Sequence, residues 1–360
     1  MFVTIVAFVV VLGVLVLVHE FGHFITAKRA GLTVEEFGFG FPPRLASFKR
    51  GGTRYSLNWI PFGGFVKILG EDGGEQDSPK SFASRGVGIR ALIVAAGILM
   101  NYVLAIVLLS VVSAAGVRTA VDSSMQLPSY AMVGEQNVTV AVVEADSPAD
   151  QAGIKPGDTI TTVDGVSVAK VDETVTAITA KSGSAAELGV TRGNEQLTIK
   201  LTPRVDPPEG QGPVGVQLLS TALVKFPWYV APYEAIKQTG FLSWQIVSSF
   251  GHLIARLFTT GSVGNDVAGP VGIAVLTGQV LDLGFVPLLQ FVAILSVNLA
   301  IINLVPFPAL DGGRLLFIAI EKIRRKKVSK RIENTMHTIG FGLLIALIVV
   351  ITVRDVIRLI

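Results

Sequence analysis

His19 and His23 stand four residues apart, with Glu20 beside the first, in the string His19-Glu20-Phe21-Gly22-His23. On an α-helix, residues i and i+4 project from one face, so the two imidazoles would lie about 6 Å apart along the axis. Two imidazoles at that spacing can share one zinc ion, and a glutamate next to the first can reach a water on that ion and act as general base. The alternative is a pair of core histidines beside a snorkelling glutamate. The setting weighs against it: Phe2 to Ala27 is a nearly continuous apolar run, and ionisable groups at membrane depth are costly and usually functional. The motif supplies two ligands, so a zinc site needs a third from elsewhere.

Candidates for that third ligand are few, because the 360 residues include four histidines and no cysteine. Lack of cysteine excludes disulfides, thiolate-bound zinc and thiol catalysis. His252 falls in a segment expected outside the membrane and reads as structural. His337 opens an apolar run without a helix break or acidic company. Asp311 belongs to Asn303-Leu304-Val305-Pro306-Phe307-Pro308-Ala309-Leu310-Asp311-Gly312-Gly313, where two prolines interrupt the end of an apolar run. Such a break is tolerated at membrane depth only where the freed backbone lines a cavity or packs on protein. Asp311 is therefore preferred over His337 as the third ligand, and this role is preferred over simple capping at Gly312-Gly313. Asn303 can donate a hydrogen bond to a developing oxyanion.

The elements that must position these residues follow from composition and charge. Half the residues are apolar and 16% are charged, which predicts a polytopic α-helical membrane protein carrying a soluble portion. About four transmembrane helices are expected, at residues 1–27, 91–116, 284–314 and 337–354. The first is expected to be a retained helix, since no basic n-region and no small-x-small cleavage site precede Lys28-Arg29. The net charge of +3 is small and the basic residues cluster beside apolar runs, so they read as topology signals and no nucleic-acid partner is expected. Residues 28–90 and 315–336 are basic, which makes both segments cytoplasmic and sets the zinc motif near the cytoplasmic face. Arg354 and Arg358 then lie outside, a modest exception to the charge rule.

Within residues 28–90, aromatic and branched residues flank Lys49-Arg50-Gly51-Gly52. They predict a membrane-associated β-hairpin. It either holds a peptide by strand addition or simply packs the cytoplasmic mouth of the bundle. Residues 117–222 are polar, acid-rich and dense in turn signals, and read as a soluble, mainly β domain outside the cytoplasm. Residues 223–283 are helical in pattern but broken by Gly240 and Gly251, and are expected as amphipathic helices on the outer membrane surface followed by a Gly269-Pro270-Val271-Gly272-Ile273 loop.

Two resemblances add to this reading. Ser147-Pro148-Ala149 through Pro156-Gly157-Asp158 and Asp164-Gly165 resembles a bacterial PDZ domain, with Glu173 to Ala180 as groove helix. That resemblance implies binding of an extended peptide or C terminus, against a role as size filter or spacer. The chain as a whole resembles the site-2 protease family, of the bacterial regulator-of-sigma-E type. The match rests on the His-Glu-x-x-His helix, Gly38-Phe39-Gly40, Arg90 to Asn101, the PDZ core, the Gly269 loop and Asn303 to Gly313.

The family resemblance implies that His19, His23 and Asp311 hold Zn2+ and that Glu20 activates water. It also implies that Asn303 binds substrate or the tetrahedral intermediate, and that the hairpin at Gly38, Phe39 and Gly40 pairs with substrate. The implied activity is intramembrane endoproteolysis in the bacterial cytoplasmic (inner) membrane. Its substrate would be a transmembrane protein already shortened outside, typically an anti-sigma factor, with remnant signal peptides as a second class. Two departures stand out: one PDZ domain where some members carry two, and Ile98 where the family commonly has proline. The competing expectation is a non-proteolytic membrane scaffold whose PDZ domain recruits an envelope partner.

Overall fold

The computed structural model describes residues 2–71, 78–121, 127–193, 195–260, 268–326 and 328–359. Lys327 of the basic segment and residues 261–267 before Gly269 lie outside the described residues. In chain order the elements are α1 (Phe2–Arg29), β1 (Val34–Arg50), β2 (Thr53–Ile68), α2 (Val87–Ala115), β3 (Val117–Ala120), β4 (Met132–Val143), α3 (Pro148–Gln151), β5 (Thr159–Val163) and β6 (Val166–Ser167). They continue with α4 (Val171–Thr179), β7 (Ala186–Arg192), β8 (Glu195–Leu201), β9 (Val216–Lys225), α5 (Ala231–Thr260), α6 (Pro270–Asp282), α7 (Phe285–Leu304), α8 (Asp311–Arg324) and α9 (Lys330–Leu359). They divide into a helical unit (1–110, 232–281 and 288–360) and a β-rich unit (111–231 and 282–287).

Among the described residues four helices, α1, α2, α7 and α9, are long and apolar enough to cross a membrane. At 1.5 Å rise per residue even the 20-residue α7 reaches about 30 Å, the thickness of a hydrocarbon core. Small residues set how closely the helices of this unit approach. A Cβ on Gly22 of α1 would strike the carbonyl of Ala96 and come within 2.8 Å of Met100 Cγ, both on α2. At the other end of α1, a Cβ on Gly278 of α6 would lie 2.6 Å from Thr4 Cγ2.

Gly269-Pro270-Val271-Gly272-Ile273, expected as a loop, is instead the N-terminal turn of α6. Pro270 takes the first helical position, where its missing N–H costs nothing. The N–H groups of Gly269 and Gly272, which no helical carbonyl can serve, donate to Asp355 Oδ2 of α9 at 2.9 and 2.7 Å. The residues between 231 and 260 also differ from expectation. They form one helix that runs through Gly240 and Gly251, and Ser243 Oγ, which donates to the Thr239 carbonyl at 2.7 Å, lies 3.4 Å from Tyr102 Oη in the middle of α2. A helix packed on the bundle side tolerates two glycines because tertiary contact outweighs their weak propensity.

The hairpin is more folded than two strands alone would be. Register shows 44–50 paired with 53–58, 36–39 paired with 54–57 on the far side, and 34–39 paired again with 64–68. Four stretches thus lie side by side, with 34–39 inside and 64–68 at an edge. Gly51 and Gly52 make the tip turn, and Gly40 (φ 79°) and Gly63 (φ 88°) make the fold-over bends. A Cβ at Gly40 would strike the Ile60 carbonyl, so the bend needs glycine both for its φ and for space.

The β-rich unit is a seven-stranded sheet in the order β3-β9-β4-β5-β7-β8, with β6 paired to β5. Its core gathers Val140, Ala149, Ile154, Ile160, Ile178, Leu188 and Val190. Ser147 caps α3 by accepting from the Asp150 N–H at 3.2 Å, and Pro148 follows at the first helical position. Asp158, 1% exposed, accepts Arg192 Nε and Nη2, both at 2.7 Å, and the Lys155 N–H at 2.8 Å.

Candidate metal centre

The third span does not run unbroken from 284 to 314. α7 ends at Leu304, an irregular turn follows, and α8 begins at Asp311. Pro306 and Pro308 cannot continue the hydrogen-bond ladder. The turn is tied locally by Phe307 N–H to the Val305 carbonyl (2.7 Å) and Leu310 N–H to the Phe307 carbonyl (3.1 Å). Gly312 and Gly313 let α8 fold back on this turn, because a Cβ at either would strike the carbonyls of Val305 and Leu304, or of Phe307. The geometry places Asp311 in the first turn of a helix pressed against α1.

His19, His23 and Asp311 converge. His19 Nε2 lies 3.1 Å and His23 Nε2 3.2 Å from Asp311 Oδ2, and the two ring nitrogens are 3.2 Å apart. Three ligand atoms at tetrahedral angles around zinc, at its usual bond lengths, would stand roughly 3.3 to 3.5 Å apart. The trio is within a few tenths of an ångström of that. Asp311 Oδ2 is buried and otherwise without a hydrogen-bond donor. A carboxylate oxygen facing two imidazole nitrogens at these distances is a donor set of the kind that holds zinc. The residues therefore fit zinc.

The face of α2 turned toward them repeats at four residues: Ile93, Gly97 and Asn101. The Ile93 carbonyl receives His23 Nδ1 at 2.9 Å, and the Asn101 amide reaches His19 Nδ1 at 3.2 Å. Between them a Cβ on Gly97 would strike His23 Nε2 and lie 2.8 Å from His19 Cε1. The two i,i+4 ladders thus run past each other in opposite directions, 19 to 101 and 23 to 93.

A cavity of about 530 Å³ opens on the trio and is lined by Glu20, Asn303, Gly64, Phe65, Val66, Arg314 and His337, among others. Glu20 and Asn303, both singled out in the sequence, thus share one cavity with the three ligand candidates. Arg314, one turn past Asp311, is ion-paired with Glu71. His337 is not a member of the trio. Its Nδ1 accepts the Ala309 N–H at 2.9 Å, which holds Ala309 at φ 81° two residues before Asp311.

Gly38, Phe39 and Gly40 are placed differently from their expected role. Gly38 is paired with both Phe65 and Ser56, and Phe39 with both Gly64 and Leu57. Their strand is interior and has no edge to offer a peptide. The edge beside the site is Gly64-Phe65-Val66, which no other strand covers among the described residues. Gly64 packs so closely that an added Cβ would lie 3.1 Å from Glu20 Cγ. His337, weighed in the sequence as a rival third ligand, lies in the cavity without joining the trio; Gly97, Asn101 and Gly64 were not singled out as site residues, and for the first two a small residue and an amide spaced by four on an apolar helix was the available signal.

A His-His-Asp trio with His19 buried and its two partners half-buried, an adjacent glutamate, and neighbouring helices long and apolar enough to cross a membrane together carry the donor set of a zinc hydrolase. The profile of peptidase family M50 matches residues 7–347. A chain of Clostridium perfringens is 38% identical over 345 residues, 95% of each chain. Zinc metalloprotease RasP of Oceanobacillus iheyensis is 30% identical over 446 aligned positions, 99% of each chain. Regulator of sigma-E protease RseP of Salmonella typhimurium is 30% identical over 443, 98% of each chain. The last two alignments exceed 360 positions, so those relatives carry residues absent here. Among solved structures, a PDZ domain of an SdrC-like protein from Listeria monocytogenes matches 26% of this chain and 93% of its own, at 22% identity and TM-score 0.21. The chain belongs to peptidase family M50, the site-2 protease family of zinc metallopeptidases.

Proposed function

We propose that this protein hydrolyses a peptide bond within a membrane-spanning segment of its substrate, near the cytoplasmic end of that segment. The observation that carries the reading is the convergence of His19, His23 and Asp311 on one point in a cavity that also holds Glu20 and Asn303. His19, His23 and Asp311 hold the zinc. Bound there, zinc lowers the pKa of a water toward about 7 and polarises a carbonyl. Glu20 takes the proton from the attacking water and returns it to the leaving amine. The Asn303 side-chain amide donates to the carbonyl oxygen as charge builds on it.

A helical substrate hides its amides in its own hydrogen bonds, so the scissile stretch must be unwound and held extended. Gly64-Phe65-Val66 is the edge that does so by strand addition, in place of Gly38 to Gly40. The cytoplasmic sidedness of the site is supported by the basic residues at the site end of the helices: Lys28 and Arg29 end α1, Arg90 pairs with Glu321 of α8 at 2.6 Å, and Lys322 and Arg324 end α8. The β-rich unit is then extracytoplasmic. The substrate class is a membrane protein already shortened outside, of the anti-sigma type, with the β-rich unit sensing a new C terminus or excluding uncut chains.

The test uses purified protein and a model transmembrane substrate, comparing wild type with Glu20→Gln and counting zinc in both. Cleavage by wild type alone, with zinc in both, supports the reading. Equal cleavage by the two proteins overturns the mechanism, and zinc-free protein that leaves the substrate intact returns the scaffold expectation.

A further inference from the structure

We propose that Asn101 is a positioning residue of the metal centre: its side-chain oxygen accepts the Nδ1 proton of His19 and so keeps the Nε2 lone pair of that ligand aimed at the site. The proposal rests on the zinc reading above.

His19 Nε2 is the nitrogen that faces Asp311 and His23. A neutral imidazole whose Nε2 serves as ligand carries its proton on Nδ1, and that proton needs an acceptor. The only side-chain group at hydrogen-bond distance from Nδ1 among the described residues is the Asn101 amide, at 3.2 Å. As placed, Nδ2 of that amide faces Nδ1, two donors would meet, and Oδ1 is buried with no partner. Oxygen and nitrogen of an amide are alike in shape, and their assignment is settled by the hydrogen-bond network. Turning the amide over removes the meeting of donors and gives Oδ1 the His19 proton.

His23 follows the same rule, because its Nδ1 faces the Ile93 carbonyl, an acceptor with no second orientation. One face of α2 thus fixes the tautomer of both histidines. Asn101 is fully buried, and its own carbonyl accepts Ser296 Oγ of α7 at 2.8 Å, which holds α2 at this level. An unneeded amide here would cost more than an apolar side chain of similar volume, since burying an unpaired polar group is unfavourable.

Zinc affinity of the full-length protein in detergent, measured by chelator competition, tests the proposal on wild type, Asn101→Leu and Asn101→Asp. Thermal unfolding of the metal-free proteins is measured beside it. Leucine keeps the volume and removes the acceptor; aspartate keeps the acceptor. Asn101→Leu is expected to weaken zinc binding about 10- to 100-fold without lowering the metal-free unfolding temperature, and Asn101→Asp to bind within a few-fold of wild type. Asn101→Ala covers the case in which leucine is not accommodated. Wild-type affinity in the leucine and alanine variants overturns the proposal, as does equal weakening in the aspartate variant. Wild type that takes up no zinc overturns the metal reading itself, a result distinct from either.

Discussion

His23 Nδ1 lies 2.9 Å from the backbone carbonyl of Ile93, so a main-chain acceptor on α2 decides which nitrogen of a histidine on α1 faces Asp311. The contact depends on close helix approach, and Gly97 provides it. Gly97→Ala would put a methyl against both imidazoles. Zinc content, measured by atomic absorption on protein of native helicity, should fall from about one per chain to a small fraction of that, since ligand geometry tolerates only ~0.2 Å. Gly88→Ala, whose Cβ would meet nothing within 4 Å, should keep its zinc.

Glu20 is proposed to move a proton without holding metal. Glu20→Gln should therefore retain zinc while turnover of a transmembrane substrate drops by about 10²- to 10⁴-fold. Loss of zinc in this variant would reassign Glu20 as a ligand.

The free edge beside the site gives a separate test of substrate handling. Gly64→Ala presses on Glu20, on the Gly38 carbonyl at 3.1 Å and on Val16 Cγ1 at 3.2 Å. A displacement of even ~1 Å at a reacting group can cost about a hundredfold, so kcat/KM should decline by about tenfold or more with zinc content unchanged. Gly38→Ala should act through the same edge, because its Cβ would displace the Phe65 ring.

Asp355 is 5% exposed and serves two backbone donors at the start of α6. Asp355→Ala strands both, at a cost of about 2 to 3 kcal/mol. A lowered unfolding temperature in detergent, with the zinc content of wild type, is the expected result.

In the β-rich unit, Lys181 Nζ sits 2.7 Å from Asp164. That ammonium, helped by the Glu187 N–H, holds the Asp164 carboxyl below its ordinary range. A depressed folded-state value means the stabilisation is full above the unfolded carboxyl value near about 4 and is lost as pH falls through the folded value. Lys181→Met should therefore flatten the acid limb of unfolding below about pH 4, by a small amount because the pair is partly open to solvent.

The sequence carried what lies within single helices. His19 and His23 fall on one face because i and i+4 do so in any helix. Pro306 and Pro308 announce a break ahead of Asp311, and length with apolarity marks the spans. Pairings that depend on where distant segments meet were not carried in this way. The alternation of aromatic residues around Gly51-Gly52 predicts a hairpin, but Gly40 and Gly63 fold it over, so Gly38 to Gly40 become interior and Gly64 to Val66 become the edge.

Asp355 reads as one acid in a terminal helix until α6 is brought to it. Gly97 and Asn101 look like ordinary members of an apolar run until α1 crosses at Gly22. Local periodicity fixes which face of a helix turns inward. Which group waits there to take the His19 or His23 proton is set by long-range helix packing, and only the tertiary structure decided it.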